Sequence, residues 1–300
     1  MRRDSFVARL QDGPVIIADG AMGTMLMDLG LESGDPPEEW NLLHPDRIRQ
    51  VHREYIQAGS QVILTNTFGG TAFRLALHTL DDRVRELNRA GAALARQEAD
   101  AAPHRVLVAG SMGPTGSILE PVGEMAFSEA REAFAEQAAG LAEGGVDLFW
   151  IETMSDLEEV KAAVQGIRSV SDRPLSATLS FDTHGHTMMG VDPAQAVDQL
   201  ARLGVDLLGA NCGTGSGEVV EVIRTMAQEN PDRPLVAKAN AGIPQVQGGQ
   251  VVYNGTPELM ADYARDVYHQ GARLIGGCCG STPAHIKAMA DALQHLENSD

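Results

Sequence analysis

The chain is short of cysteine, short of aromatic residues and short of positive charge, and each shortage closes off a class of protein. Three cysteines in 300 residues are too few, and odd in number, for the disulfide framework of a small secreted domain. Lysine and arginine total 23 against 41 aspartates and glutamates, a formal net charge of -18. Nucleic acid and anionic membranes both draw on a basic surface, so neither is an expected partner. No apolar run approaches the roughly 20 residues of a membrane span. The opening MRRDSFVARL carries charge but no apolar core; it does not read as a secretory signal, and a cytoplasmic protein is expected. What is present is a hydrophobic share of 43%, enough for a full core and against disorder.

Eight short apolar runs recur at 15–18, 62–65, 106–109, 148–151, 175–179, 207–210, 235–239 and 274–277. Each has the length of a fully buried strand. Stretches of helical character at 47–58, 128–141, 157–170, 194–203, 219–228 and 258–269 separate most of them. Alternating strand and helix predicts parallel βα units, and eight strands predict an α/β fold closed as a (β/α)₈ barrel. A doubly wound open sheet is the alternative. No stretch reads as a linker, so one domain is expected over residues 1–300.

The strand entries carry a finer pattern. Four strands follow a glycine in related phrases: AGSQVI, GGVDLF, LGVDLL and QGARLI. Gly59, Gly145, Gly204 and Gly271 fit the position just past a helix, where a left-handed backbone is needed. The other four follow Pro14, Pro103, Pro174 and Pro234, which stop the preceding segment. The two kinds of entry alternate, as in four (βα)₂ units. Long irregular pieces at 30–45, 110–125 and 241–255 each follow a strand. In a barrel they form the C-terminal rim, where active sites are built.

All three cysteines fall at that rim. Cys212 follows the sixth strand in GANCGTG, and Cys278 and Cys279 follow the eighth in GGCCGST. Strands two apart are separated by roughly 10 Å, a gap that inward-leaning loops can close around a tetrahedral metal. Soft thiolates favour zinc, and three protein ligands leave one position open for chemistry. Free cysteines also pack as small hydrophobes, and position alone does not choose between the two. A redox pair lacks its C-x-x-C spacing.

The motifs resemble the homocysteine S-methyltransferase family along nearly the whole chain: DGAMGTML, TNTFGG, GSMGPTG, IET, GANCG, KANAG and CCGSTPAHI. The resemblance implies a barrel that binds Zn²⁺ through Cys212, Cys278 and Cys279 and methylates homocysteine to methionine. It also implies that Asp19 and Glu152 hold the substrate amino group. Backbone amides at 111–113, beginning with Ser111, are candidates for the carboxylate, and Asn66 and Asn240 for orienting polar groups. Lys238 reads as an ion-pair partner inside the barrel.

For the methyl donor, SGDPPEEWN, SFDTHGHTMMGV and GTPELMADYA look most like short bacterial betaine–homocysteine methyltransferases. A quaternary ammonium is bound well by aromatic faces, and Trp40, Phe68, Phe181 and Tyr253 lie in or beside rim loops. The alternatives are S-methylmethionine, or methylcobalamin brought by a corrinoid partner protein, as for the homocysteine module of a methionine synthase. DTHGHT at 182–187 approaches a cobalamin loop but has Thr187 where glycine is expected. A regulatory zinc barrel without activity is the non-enzyme alternative.

Overall fold

The computed structural model describes residue 10 and residues 13–230, 233–247 and 250–297. The strands are β1 (Ile16–Ile17), β2 (Val62–Leu64), β3 (Leu107–Met112), β4 (Leu148–Met154), β5 (Leu175–Leu179), β6 (Leu207–Cys212), β7 (Leu235–Ala239), β8 (Pro244–Gln247), β9 (Gln250–Tyr253) and β10 (Ala272–Gly277). The helices are α1 (Met22–Asp28), α2 (Trp40–Leu43), α3 (Pro45–Gln57), α4 (Ala72–Ala76), α5 (Val84–Asp100), α6 (Phe127–Gly144), α7 (Leu157–Val170), α8 (Pro193–Arg202), α9 (Ser216–Glu229), α10 (Pro257–His269) and α11 (Pro283–Glu297).

Eight strands form one parallel sheet in the order β1-β10-β7-β6-β5-β4-β3-β2. The two ends meet through a parallel bridge between Ala18 and Val62. Gln61 N donates to Ile17 O at 2.7 Å and Asp19 N to Val62 O at 3.0 Å. The sheet is therefore a (β/α)₈ barrel, as the eight apolar runs predict, and the open-sheet alternative is excluded. Gly59, Gly145, Gly204 and Gly271 have φ of +110°, +95°, +72° and +107°, the left-handed helix ends that the recurring phrases require.

Helix starts follow their local chemistry. Asp192 caps α8 through Gln195 N at 2.8 Å and Thr256 caps α10 through Leu259 N, and a proline follows each cap. Such caps satisfy amides that the helix leaves unpaired. Among the described residues, no helix is long and apolar enough to cross a membrane.

Two apolar layers result from strand alternation. Phe149 and Ile151 of β4 join the layer between sheet and helices. Leu148 and Trp150 pack inside the barrel with Leu107 and Ala109 of β3, Leu207 of β6, Val236 of β7 and Leu274 of β10. Continuing the same period, the next inward positions are polar: Ser111, Glu152, Asn211 and Lys238, all buried. The barrel is thus filled with hydrocarbon below and lined with polar groups at the rim.

One expectation is corrected. The stretch 241–255 is not irregular throughout, because β8 and β9 pair antiparallel across it. The phrase PQVQGGQVVY has the alternation and central Gly-Gly of a hairpin.

Candidate metal centre and substrate pocket

The thiols are brought together by backbone pairing. Cys212 ends β6 with φ of +60°. Past β10, Cys278 N donates to Ala239 O at 2.7 Å, and Ala241 N donates to Cys279 O at 2.9 Å. The β7–β10 ladder thereby continues into the loop and fixes the paired cysteines beside Cys212. The three Sγ atoms lie within 4.8 Å of one another, with Cys212 and Cys278 at 2.8 Å. Tetrahedral zinc with Zn–S near 2.3 Å needs sulfurs roughly 3.8 Å apart. Small side-chain rotations satisfy that, and the all-thiolate donor set suits a soft cation, so the residues fit the metal.

Each thiol also has a hydrogen-bond donor beside it. Asn211 Nδ2 faces Cys212 Sγ at 3.6 Å and Cys278 Sγ at 3.8 Å. The Tyr253 hydroxyl bonds to Cys279, and the Tyr253 ring lies against Gly280, where any Cβ would strike it. Cys212 and Cys278 themselves donate to Cys279 and, with Tyr253, hold its thiol below the usual range.

Two buried carboxylates sit in the barrel near the thiols. Asp19 Oδ1 takes the Lys238 ammonium at 2.8 Å and Oδ2 takes Leu64 N at 2.7 Å. Both oxygens of this expected ammonium clamp are therefore engaged within the protein. The Leu64 bond continues the β1–β2 seam where β1 has already ended. Glu152 Oε1 takes the Ser111 hydroxyl, and its other oxygen has no partner among the described residues. Burial pushes the Glu152 carboxyl up to about 7, against the pull of Lys238 and with Cys278 adding to the rise. Burial works against the Lys238 ammonium, but Asp19 and Glu152 more than offset it and keep its pKa high. Lys238 also lies over the Trp150 ring, 5.5 Å from its centroid. It is the interior ion-pair partner that its position suggests.

The remaining candidates divide. Asn66 is spent on structure: its amide donates to Pro37 O at 2.7 Å and Asn41 Oδ1 at 3.0 Å. Asn240 donates to Gly213 O at 2.9 Å, while its buried Oδ1 has no partner among the described residues. Of the amides expected to receive a carboxylate, Ser111 N donates to Thr65 Oγ1 at 3.0 Å and Gly113 N to Phe68 O at 2.9 Å. Of the aromatic set, Trp40 is buried with Arg47 4.9 Å over its ring and His44 at 4.6 Å. Phe181 belongs to the outer apolar core. Both rings are buried, and Trp40 already has one cation over it. Phe68, 38% exposed and lying over Gly113, and half-buried Tyr253 remain at the rim. Asn211 and Thr153 are contacts that sequence reading missed; both stand inside quoted motifs, but their pairing crosses two strands. A cavity of about 410 Å³ lies elsewhere, among Val15, Ile17, Gln57, Gln61, His104 and Lys287.

The class this fold and site define is a (β/α)₈ barrel whose C-terminal rim gathers three thiols that could hold a metal, beside a buried carboxylate. Comparison with known proteins narrows it: residues 16–293 match the homocysteine S-methyltransferase family, and the chain belongs to that family. It is 36% identical over 301 residues to a methionine synthase of Mycobacterium tuberculosis, covering 95% of this chain and 25% of the relative. A Mycobacterium leprae methionine synthase is 34% identical, with 93% and 24% covered. The chain thus spans about a quarter of the curated relatives it matches. Among solved structures, the metallated homocysteine methyltransferase MmuM from Escherichia coli superposes with a TM-score of 0.80 at 27% identity, covering 95% of this chain and 98% of that one. Its apo form gives 0.75 at 26% identity, with 94% and 97% covered.

Proposed function

We propose that this chain methylates the thiol of homocysteine to give methionine, with zinc held by Cys212, Cys278 and Cys279. The observation that carries this is the meeting of three thiols with a buried carboxylate, Glu152, whose second oxygen has no partner among the described residues. When bound, zinc supplies a Lewis acid that keeps a substrate thiol ionised at neutral pH. Glu152 accepts the substrate ammonium, and Ser111 fixes the carboxylate that receives it. Asp19 acts at one remove by anchoring Lys238, which balances the charge on Glu152. Asn240 Oδ1, buried and without a partner among the described residues, is a further acceptor at the rim. In the transfer, the sulfur lone pair forms the S–CH₃ bond as the donor's bond to that methyl breaks, its electron pair leaving with the donor. A cytoplasmic setting suits the site, since thiols stay reduced there.

Glycine betaine is the favoured donor, on the sequence phrases and on Phe68 and Tyr253, whose rings suit a quaternary ammonium. In this chain Gly69 stands where animal betaine enzymes have a tyrosine. Its amide is held by Glu38 Oε1 at 2.6 Å, so the donor pocket here is built from other residues. A second reading has its own support. Ile118, Val122, Met188, Met189 and Ile243 are exposed hydrophobics on loops that follow β3, β5 and β7. Such a rim suits a macromolecular donor, a corrinoid protein, and the curated relatives are much longer methionine synthases.

A donor panel tests these readings: zinc-loaded protein, homocysteine, and betaine, S-methylmethionine or methylcobalamin, with methionine measured. Turnover with betaine is expected. Turnover only with methylcobalamin would replace betaine by the corrinoid reading. Retained zinc with no turnover on any donor would favour the regulatory barrel. Cys278→Ala is expected to abolish both zinc retention and turnover; full activity in that variant would remove the ligand assignment.

A further inference from the structure

We infer that Asn211 is a positioning residue for the thiol cluster, an amide donor that takes up part of the charge on Cys212 and Cys278 and so sets how tightly the three thiols hold a metal. The inference rests on the zinc reading above and adds to it a residue outside the ligand set.

The geometry leaves the amide only one orientation. Thr153 N donates to Asn211 Oδ1 at 2.8 Å. A backbone N–H can only donate, so the oxygen end of the carboxamide must face it. The nitrogen end then faces Thr153 Oγ1 at 2.7 Å and the two sulfurs at 3.6 and 3.8 Å. An amide nitrogen carries two hydrogens. One goes to the hydroxyl, and the other is shared between Cys212 and Cys278. Asn211 is 1% exposed, so water does not compete for these bonds.

Thr153 is strained to make this arrangement. It is β-branched yet has φ of +60°, a backbone region such residues rarely enter. The twist at the end of β4 turns both the Thr153 amide and its hydroxyl toward β6. Strain of this kind persists where the surroundings over-determine it. The purpose follows from charge. Three thiolates outweigh the two positive charges of zinc, and an N–H directed at a thiolate draws off part of the excess. Asn211 serves two sulfurs and the Tyr253 hydroxyl serves the third. A plain tie between β4 and β6 would not need its nitrogen on the sulfurs.

The test uses the whole chain, with cobalt(II) as a spectroscopic stand-in and zinc affinity measured by chelator competition. Asn211→Leu removes the donor at similar volume. It is expected to bind one metal with affinity reduced roughly 10- to 100-fold, as for loss of an outer-shell partner, and with shifted thiolate-to-cobalt charge-transfer bands. Thr153→Ala keeps the backbone N–H that orients the carboxamide but removes the hydroxyl that holds its nitrogen end, and is expected to move both readouts in the same direction by a smaller amount. Thr153→Ser keeps the hydroxyl and is expected to stay close to the parent chain. Parent-like affinity and bands in both Asn211→Leu and Thr153→Ala would overturn the inference while leaving the zinc reading standing. A parent chain with no cobalt–thiolate bands would overturn the zinc reading and this inference together.

Discussion

Asp19 and Glu152 are both buried carboxylates in the upper part of one barrel, yet they are built for different work. Asp19 is saturated, with Lys238 on one oxygen and Leu64 N on the other. Glu152 has one oxygen on Ser111 and the other without a partner among the described residues. Burial alone does not identify a substrate-binding group; what separates the two is whether the protein has already used the acceptors. In the proposed function the saturated carboxylate holds the frame, and the unsaturated one is left for the ligand.

The largest effect should come from breaking the saturated partner. Asp19→Asn leaves Lys238 without its closest counter-charge in a dry interior, and removing one member of a buried pair costs about 3–5 kcal/mol. Denaturant unfolding should show that loss. An unchanged midpoint with weakened homocysteine binding would make Asp19 the clamp after all. Glu152→Gln should do the reverse. The fold is kept, because glutamine still accepts from Ser111, while homocysteine binding in calorimetry weakens by about 1.5–3 kcal/mol, the worth of a charged hydrogen bond. Equal affinity in this variant would remove Glu152 from the substrate site.

The smallest effect is one of pH. The Glu152 carboxyl is raised from 4.5 to about 7 by burial, so its folded-state pKa exceeds its unfolded one. Its contribution to stability is therefore complete below about 4.5 and is lost as pH rises through about 7. Ligand binding runs the opposite way, because an ammonium needs the ionised form. Homocysteine affinity should fall as pH drops below about 7, by about tenfold per unit at the limit. Glu152→Gln should flatten that dependence, and a parent profile already flat from pH 5.5 to 8 would contradict it.

The fold was legible because it rests on local rules. Strand runs, glycines past helix ends and prolines before strands are each written within a few neighbouring residues, and Gly59 and Gly271 take the backbone their phrases demand. The thiol cluster was legible because rare residues stood at strand ends in specific motifs. What escaped reading depends on side chains that meet across the barrel. The saturation of Asp19 is set by Lys238, 219 positions away. The orientation of Asn211 is set by Thr153 on a different strand. Trp40 and Phe181 stand in plausible places for a cation box, but their burial, and Arg47 over the Trp40 ring, are set by distant packing that local sequence does not carry. The hairpin of β8 and β9 did have a local signature, an alternating run around Gly-Gly, which its place in a long loop obscured.

The seam of the barrel sets an order of events during synthesis. Strand β1 pairs with β10, so the earliest part of the sheet waits for the last strand before it can close. Cys212 likewise waits for Cys278, 66 residues further on. A nascent chain released short of β10 has one thiol of the three and an open edge on each side. It can neither assemble the thiol cluster nor hide its strands, so the chain completes the cluster and becomes resistant to edge-to-edge association at the same moment.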